Sequence, residues 1–209
     1  MNWSDVGEFT KAVAPVFTAG AACTGAWIGW RGLEKWRDET IGKRKAELAE
    51  QALMAFYEAR DALAWVRAPV GFGGEGESRT PSDGETKTQQ KKRNTYFIPI
   101  ERLTHEKELF ARLQSLRYAF AAQFGEAASE PFKAITSVQN EIRTSASVLI
   151  GIVYDDDNDR AFAKSAEPLL NTIGWGAVAR PDDVDRKIEK AVKDIEVVCR
   201  PVLAAAPTK

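Results

Sequence analysis

Residues 12–30 read AVAPVFTAGAACTGAWIGW, nineteen positions without a charged side chain. As a helix rising 1.5 Å per residue, this run is ~28 Å long, close to the ~30 Å hydrocarbon core of a bilayer. Its hydrophobic strength is modest. Ala and Gly dominate, and Val13, Val16, Phe17, Trp27 and Ile28 supply most of the apolar bulk. Pro15 falls in the first turn, where a missing N–H costs little. Trp3 precedes the run, and Trp27, Trp30 and Trp36 gather at its far end. Indole rings favour the headgroup zone, because the ring is apolar while its N–H needs a partner.

The flanks set an orientation. Lys11 faces Asp5 and Glu8 on one side, whereas Arg31, Lys35, Arg37, Lys43, Arg44 and Lys45 follow on the other. Basic residues stay on the cytoplasmic side of a span. The expectation is therefore one transmembrane helix over 12–30 in the cell inner (plasma) membrane. Residues 1–11 are then extracytoplasmic and 31–204 cytoplasmic, with a short tail over 205–209. Trp3, Trp27, Trp30, Arg31, Lys35 and Arg37 are the expected interfacial anchors. Other readings of the run are weaker. A cleaved leader would carry a basic start where this one carries acids. A lipoprotein site at Cys23 would follow a large aliphatic residue, and Gly20-Ala21-Ala22 has none. A buried core helix is the third alternative. Along the run, Ala21, Gly25 and Gly29 recur every fourth residue, a stripe of small side chains that lets two helices approach closely.

Beyond residue 30 the periodicity is helical. Ala49, Ala52, Phe56, Ala59, Leu63 and Val66 alternate steps of three and four, which draws one apolar stripe along a helix that ends before Pro69. A second helix is expected from Pro99 to Phe124, with Leu103, Phe110, Leu113, Leu116 and Phe120 inward and Gly125 as its cap. A third spans 131–153, a short fourth 160–172 and a last 182–203, the last with heptad-like spacing of Val184, Ile188, Ala191, Ile195 and Val198. The fold class expected is all-α: the N-terminal membrane helix, then an antiparallel helical bundle of four to five helices with one long polar loop. That loop is Val70–Thr95, rich in Gly, Ser, Thr, Glu and Lys, with Phe72 its single large apolar side chain before Tyr96. Too little apolar surface is present there to offset the entropy of ordering, so the expectation is a flexible loop.

Composition narrows the function classes. The chain has 209 residues, with 29 Lys+Arg against 30 Asp+Glu. A net charge of −1 argues against a general nucleic-acid binder. Two cysteines make no disulfide scaffold, and the single histidine, His105, cannot build a multi-histidine metal site. Three motifs fail on context. Gly71, Gly73 and Gly76 spell G-x-G-x-x-G but follow a helix rather than a strand. Asp155–Asp159 resembles the start of a calcium loop, yet Arg160 stands where glycine is required. His105-Glu106 lacks a second histidine four residues on. Cys199 lies in the last helix between Val198 and Arg200 and reads as a small core residue.

No catalytic grouping, cofactor site or metal site emerges, and a small-molecule ligand is not expected. The functional expectation is a single-pass membrane-anchored helical protein that is not an enzyme. It acts by protein–protein interaction as adaptor, scaffold or membrane subunit of an assembly. Its partners are the lipid bilayer and either another protein or a second copy. The alternatives are a self-associating membrane effector of toxin or defence type, and a soluble helical bundle.

Overall fold

The computed structural model describes residues 3–153, 160–177 and 179–205; for 3–26, 28 and 160–163 it describes the backbone alone. The described residues are all helical or irregular, without a strand. The elements are α1 (Trp3–Val66), α2 (Lys87–His105), α3 (Lys107–Phe124), a 3₁₀ turn (Glu126–Ser129), α4 (Glu130–Gly151), α5 (Arg160–Thr172) and α6 (Asp183–Ala205). The chain divides into two units, Met1–Lys45 and Ala46–Lys209, and α1 contributes to both.

The second unit is a helical bundle built on the predicted stripes. Ala49, Ala52, Phe56, Ala59, Leu63 and Val66 are all shut off from solvent, as a three-four spacing on one helix face requires. Small alanines at 49, 52 and 59 let neighbouring helices come close, and Phe56 fills the gap between them. Its ring meets Phe132 of α4 edge-on at 4.8 Å, and Phe132 in turn packs on Phe120 of α3 at 5.4 Å. Helix α4 is central, since α2, α5 and α6 all pack against it. Ile188, Ala191, Ile195 and Cys199 close the core from α6.

Two expectations change. The helix predicted over Pro99–Phe124 is two helices, and the first begins twelve residues earlier, at Lys87. Its start is a capping box: the Thr86 hydroxyl accepts from the Gln89 N–H, and the Gln89 side chain accepts from the Thr86 N–H. Only Val70–Thr86 remains as the polar connection. That stretch is fixed by charge rather than by apolar burial. The Gly76 N–H and the Ser78 hydroxyl donate to Glu101, at 2.6 and 2.5 Å. Arg79 and Arg93 close on Glu85 at 2.6 and 2.7 Å.

The other change concerns residues 12–30. Among the described residues no helix is long and apolar enough to cross a membrane. The stretch lies within α1, but a spanning helix there is unsupported. The physical reason is its alanine and glycine content, which adds length to the uncharged run without the transfer free energy that leucine, isoleucine or phenylalanine supplies.

Two buried arginines tie the end of α1 to the rest of the bundle. Arg67 donates to the carbonyls of Asn171 (3.0 Å) and Thr172 (2.9 Å) at the end of α5, and to Asp182 (2.5 Å) and Asp185 at the start of α6. Arg102 donates to both oxygens of Glu75 and to the carbonyls of Trp65, Ala68 and Val70, at 2.7–3.0 Å. Hydrogen bonding by Arg102 holds the Glu75 carboxyl below its ordinary range. For Asp182, burial pushes upward, but the bonds from Arg67 and from the Asp185 N–H outweigh it and the net shift is downward. These carboxyls bind protons less readily folded than unfolded. Their stabilisation is complete above the unfolded pKa and drains as acid titrates through the folded one. Urea midpoints are expected to hold from neutrality to about pH 5 and then fall steadily with acid. At neutral pH, Arg67→Met strands Asp182 and leaves Asp185 to Arg180 alone, and is expected to cost about 3–5 kcal/mol in urea unfolding, whereas Arg186→Met, at an exposed pair, stays within about 1 kcal/mol.

Candidate binding surfaces

Unit 1 presents its surface from α1. From Gly29 to Arg44 every residue but Thr40 is exposed. Trp27, Trp30, Leu33 and Trp36 are 58–71 % exposed, and Ile41 is 43 % exposed. Successive steps of three carry the four larger exposures around roughly half the helix circumference, so they form a band rather than a coiled-coil seam. Cations are interleaved with the rings. The Arg31 guanidinium lies 4.4 Å from the Trp27 ring centroid, and Lys35 is 4.0 Å from Glu39 one turn on. Trp30, Leu33, Glu34 and Arg37 line a shallow recess. Gly29 has open space where a side chain would stand, as do Gly32 and Gly42. The side chains of Trp3, Ala21, Cys23 and Gly25 fall outside the described residues, so of the small-residue stripe only Gly29 is seen.

The second surface, on unit 2, was not anticipated from sequence. Trp65 is 40 % exposed on the outer face of α1. The Arg102 guanidinium stacks on its ring at 4.1 Å while spending all five N–H groups on Glu75 and on backbone carbonyls. Phe72 leans on Trp65 with ring centroids 5.6 Å apart. Beside Trp65 runs an open groove of about 420 Å³, lined by Ala62 and Leu109 with the carboxylates of Glu58, Asp61 and Glu106. Exposed Trp65 and Phe72 were legible as residues. Their conjunction with Glu106 was not, because it depends on the break between α2 and α3.

The remaining sequence motifs resolve into structural roles or lie out of view. Asp155–Asp159 is outside the described residues. Among those described, no three His, Cys, Asp or Glu side chains are grouped to hold a metal ion. His105 is exposed at the end of α2. Cys199 is fully buried, and burial pushes its thiol up to about 11, far from a reactive thiolate. Of the three glycines, Gly76 has a φ of 81°, and a Cβ there would stand 2.1 Å from the Asn94 carbonyl. Glycine is needed because the loop presses against α2, which is a packing reason and not a phosphate-binding one. No protein-family model, curated protein or solved structure matches the chain.

Two measurements test these assignments. Gly76→Ala is expected to lower unfolding stability by about 1–3 kcal/mol through strain and clash, while Gly73→Ala, with open space around it, stays within about 0.5 kcal/mol. In a Cys23→Ser background, Cys199 should resist a thiol reagent in the folded protein and react at once in denaturant; rapid labelling of the folded protein would show the thiol to be accessible.

Proposed function

We propose that this chain is a membrane-associated adaptor or scaffold: its helical bundle binds proteins, and the first part of α1 attaches it to the lipid of the inner (plasma) membrane from the cytoplasmic side. The observation that carries this reading is the exposed band of Trp27, Trp30, Leu33 and Trp36 with Arg31, Lys35 and Arg37 set between the rings. Large aromatic side chains at this exposure are costly in water and favourable among headgroups, where the ring is buried and the indole N–H finds a partner. Cations at the same level add attraction to an anionic leaflet, about 1 kcal/mol each. The contact proposed is therefore interfacial, in the manner of an amphipathic helix lying at the headgroup boundary, and it does not depend on the weakly apolar 12–30 stretch crossing the bilayer.

A second reading is supported by the open space at Gly29: α1 pairs with α1 of another copy through Ala21, Gly25 and Gly29. The two readings separate experimentally. If lipid is the partner, the protein floats with phosphatidylserine-rich vesicles and less with pure phosphatidylcholine. Trp27→Ala, Trp30→Ala and Trp36→Ala combined then abolish flotation, while Arg31→Gln, Lys35→Gln and Arg37→Gln combined lower the partition free energy by about 3 kcal/mol at low salt. If self-pairing dominates, Gly25→Ile with Gly29→Ile reduces the oligomer size in detergent, and the tryptophan variant floats unchanged.

A further inference from the structure

We infer that the groove between α1 and the beginning of α3 is a docking site for an arginine or lysine side chain that a partner protein presents next to an apolar residue. The site belongs to the bundle and stands whether or not α1 meets lipid. Three carboxylates, Glu58, Asp61 and Glu106, line it together with the Trp65 ring. That set is selective by chemistry. Carboxylates repel anions, and the indole beside them offers apolar area to the aliphatic stem of a cationic side chain. Arg102 already occupies one face of Trp65, at 4.1 Å, without lining the groove. The indole is therefore held in place and little conformational entropy remains to be lost when a ligand arrives.

The charges already present leave room for an incoming one. Glu58 pairs with Arg112 and Asp61 with Arg60, both arginines are partly exposed, and neither lines the groove. Exposed pairs of this kind are weak and exchange readily. Glu106 forms no ion pair with any described residue. A carboxylate without an ion pair, in a groove that Trp65, Ala62 and Leu109 also line, is an acceptor for a cation carried on an aliphatic stem.

The occupant is a protein segment rather than a free polyamine because the apolar ground continues past the groove. Phe72, 61 % exposed, lies against Trp65, and Val70, 62 % exposed, is two residues away. A small cation has no use for that surface, whereas a leucine beside an arginine covers it. Anionic lipid is disfavoured by the same three carboxylates.

The test uses the full-length protein and NMR detection of the Trp65 indole N–H, assigned with Trp65→Phe. Three probes are titrated: a short synthetic peptide carrying arginines flanked by leucines, its citrulline twin of equal size without charge, and spermidine. The arginine peptide is expected to shift the Trp65 signal and the citrulline peptide to bind about tenfold or more weakly, with spermidine weaker than the peptide. Asp61→Asn combined with Glu106→Gln, both away from the core, should weaken the arginine peptide by about tenfold without lowering the melting temperature. Equal binding of the two peptides, an unmoved Trp65 signal, or unchanged binding by the carboxylate variant would overturn the proposal. Spermidine binding as tightly as the peptide would also overturn it, because the site would then serve a free polyamine.

Discussion

Closing the C-terminal end of α1 demands that two guanidinium groups lose their water, and the bundle is arranged to replace it. Arg67 and Arg102 are 0 % and 1 % exposed. A charge so placed is tolerable only when its N–H groups are bonded and an opposite charge is near. Arg102 meets this with Glu75 and three carbonyls, Arg67 with two aspartates and two carbonyls. The carbonyls belong to helix ends and to the residues just past them: Trp65 in the last turn of α1 with Ala68 and Val70 beyond it, Asn171 and Thr172 in the last turn of α5. A cation there meets the negative end of a helix dipole, and Asp182 and Asp185 sit at the positive end of α6. One side chain thus joins the end of one helix to the beginning of another. Lysine could not substitute, because a tetrahedral ammonium has three donors and no planar fork.

These ties explain which parts of the architecture were legible in the sequence. Helices α1, α4 and α6 announced themselves through a 3.6-residue rhythm of Phe56, Leu63, Phe132, Ile135, Ile188 and Ile195, because burial of one face is a local pattern. The ion pairs were invisible. Arg67 reaches Asp185 across 118 positions, and nothing beside either residue marks it as buried. The polar stretch after Val70 lacks the apolar residues that would mark it as ordered, and Glu75, Arg79 and Glu85 order it through charge instead. A local signal was present in that same region. Thr86-Lys87-Thr88-Gln89 is a capping box, and it places the start of α2 where the run of polar residues had hidden it.

The break between α2 and α3 has the same origin as the candidate groove. Glu106 terminates one helix, where its N–H donates to the Arg102 carbonyl at 3.2 Å, and opens the next, where its carbonyl accepts from Phe110. A continuous helix over 99–124, as the apolar spacing suggested, would give this position no reason to stand beside Trp65. The discontinuity leaves this acidic residue lining the same groove as the tryptophan on which Arg102 stacks. A structural device and a recognition surface therefore share their supporting residue.

The near-zero net charge conceals this division of labour. Both candidate surfaces place tryptophan in view, and they differ in the charges around it: Arg31, Lys35 and Arg37 alternate with Glu34, Asp38 and Glu39 near Trp27, Trp30 and Trp36, whereas Glu58, Asp61 and Glu106 line the groove beside Trp65, the first two paired with Arg112 and Arg60. Aromatic area supplies much of the binding free energy in either case, while charge decides what is admitted. Because exposed charges separated by more than about 8–10 Å are screened at physiological salt, each surface selects by its own neighbours and not by the sum over the chain. A whole-chain balance of 29 against 30 argues against a general polyanion binder but describes neither surface, where the charges around individual rings set specificity.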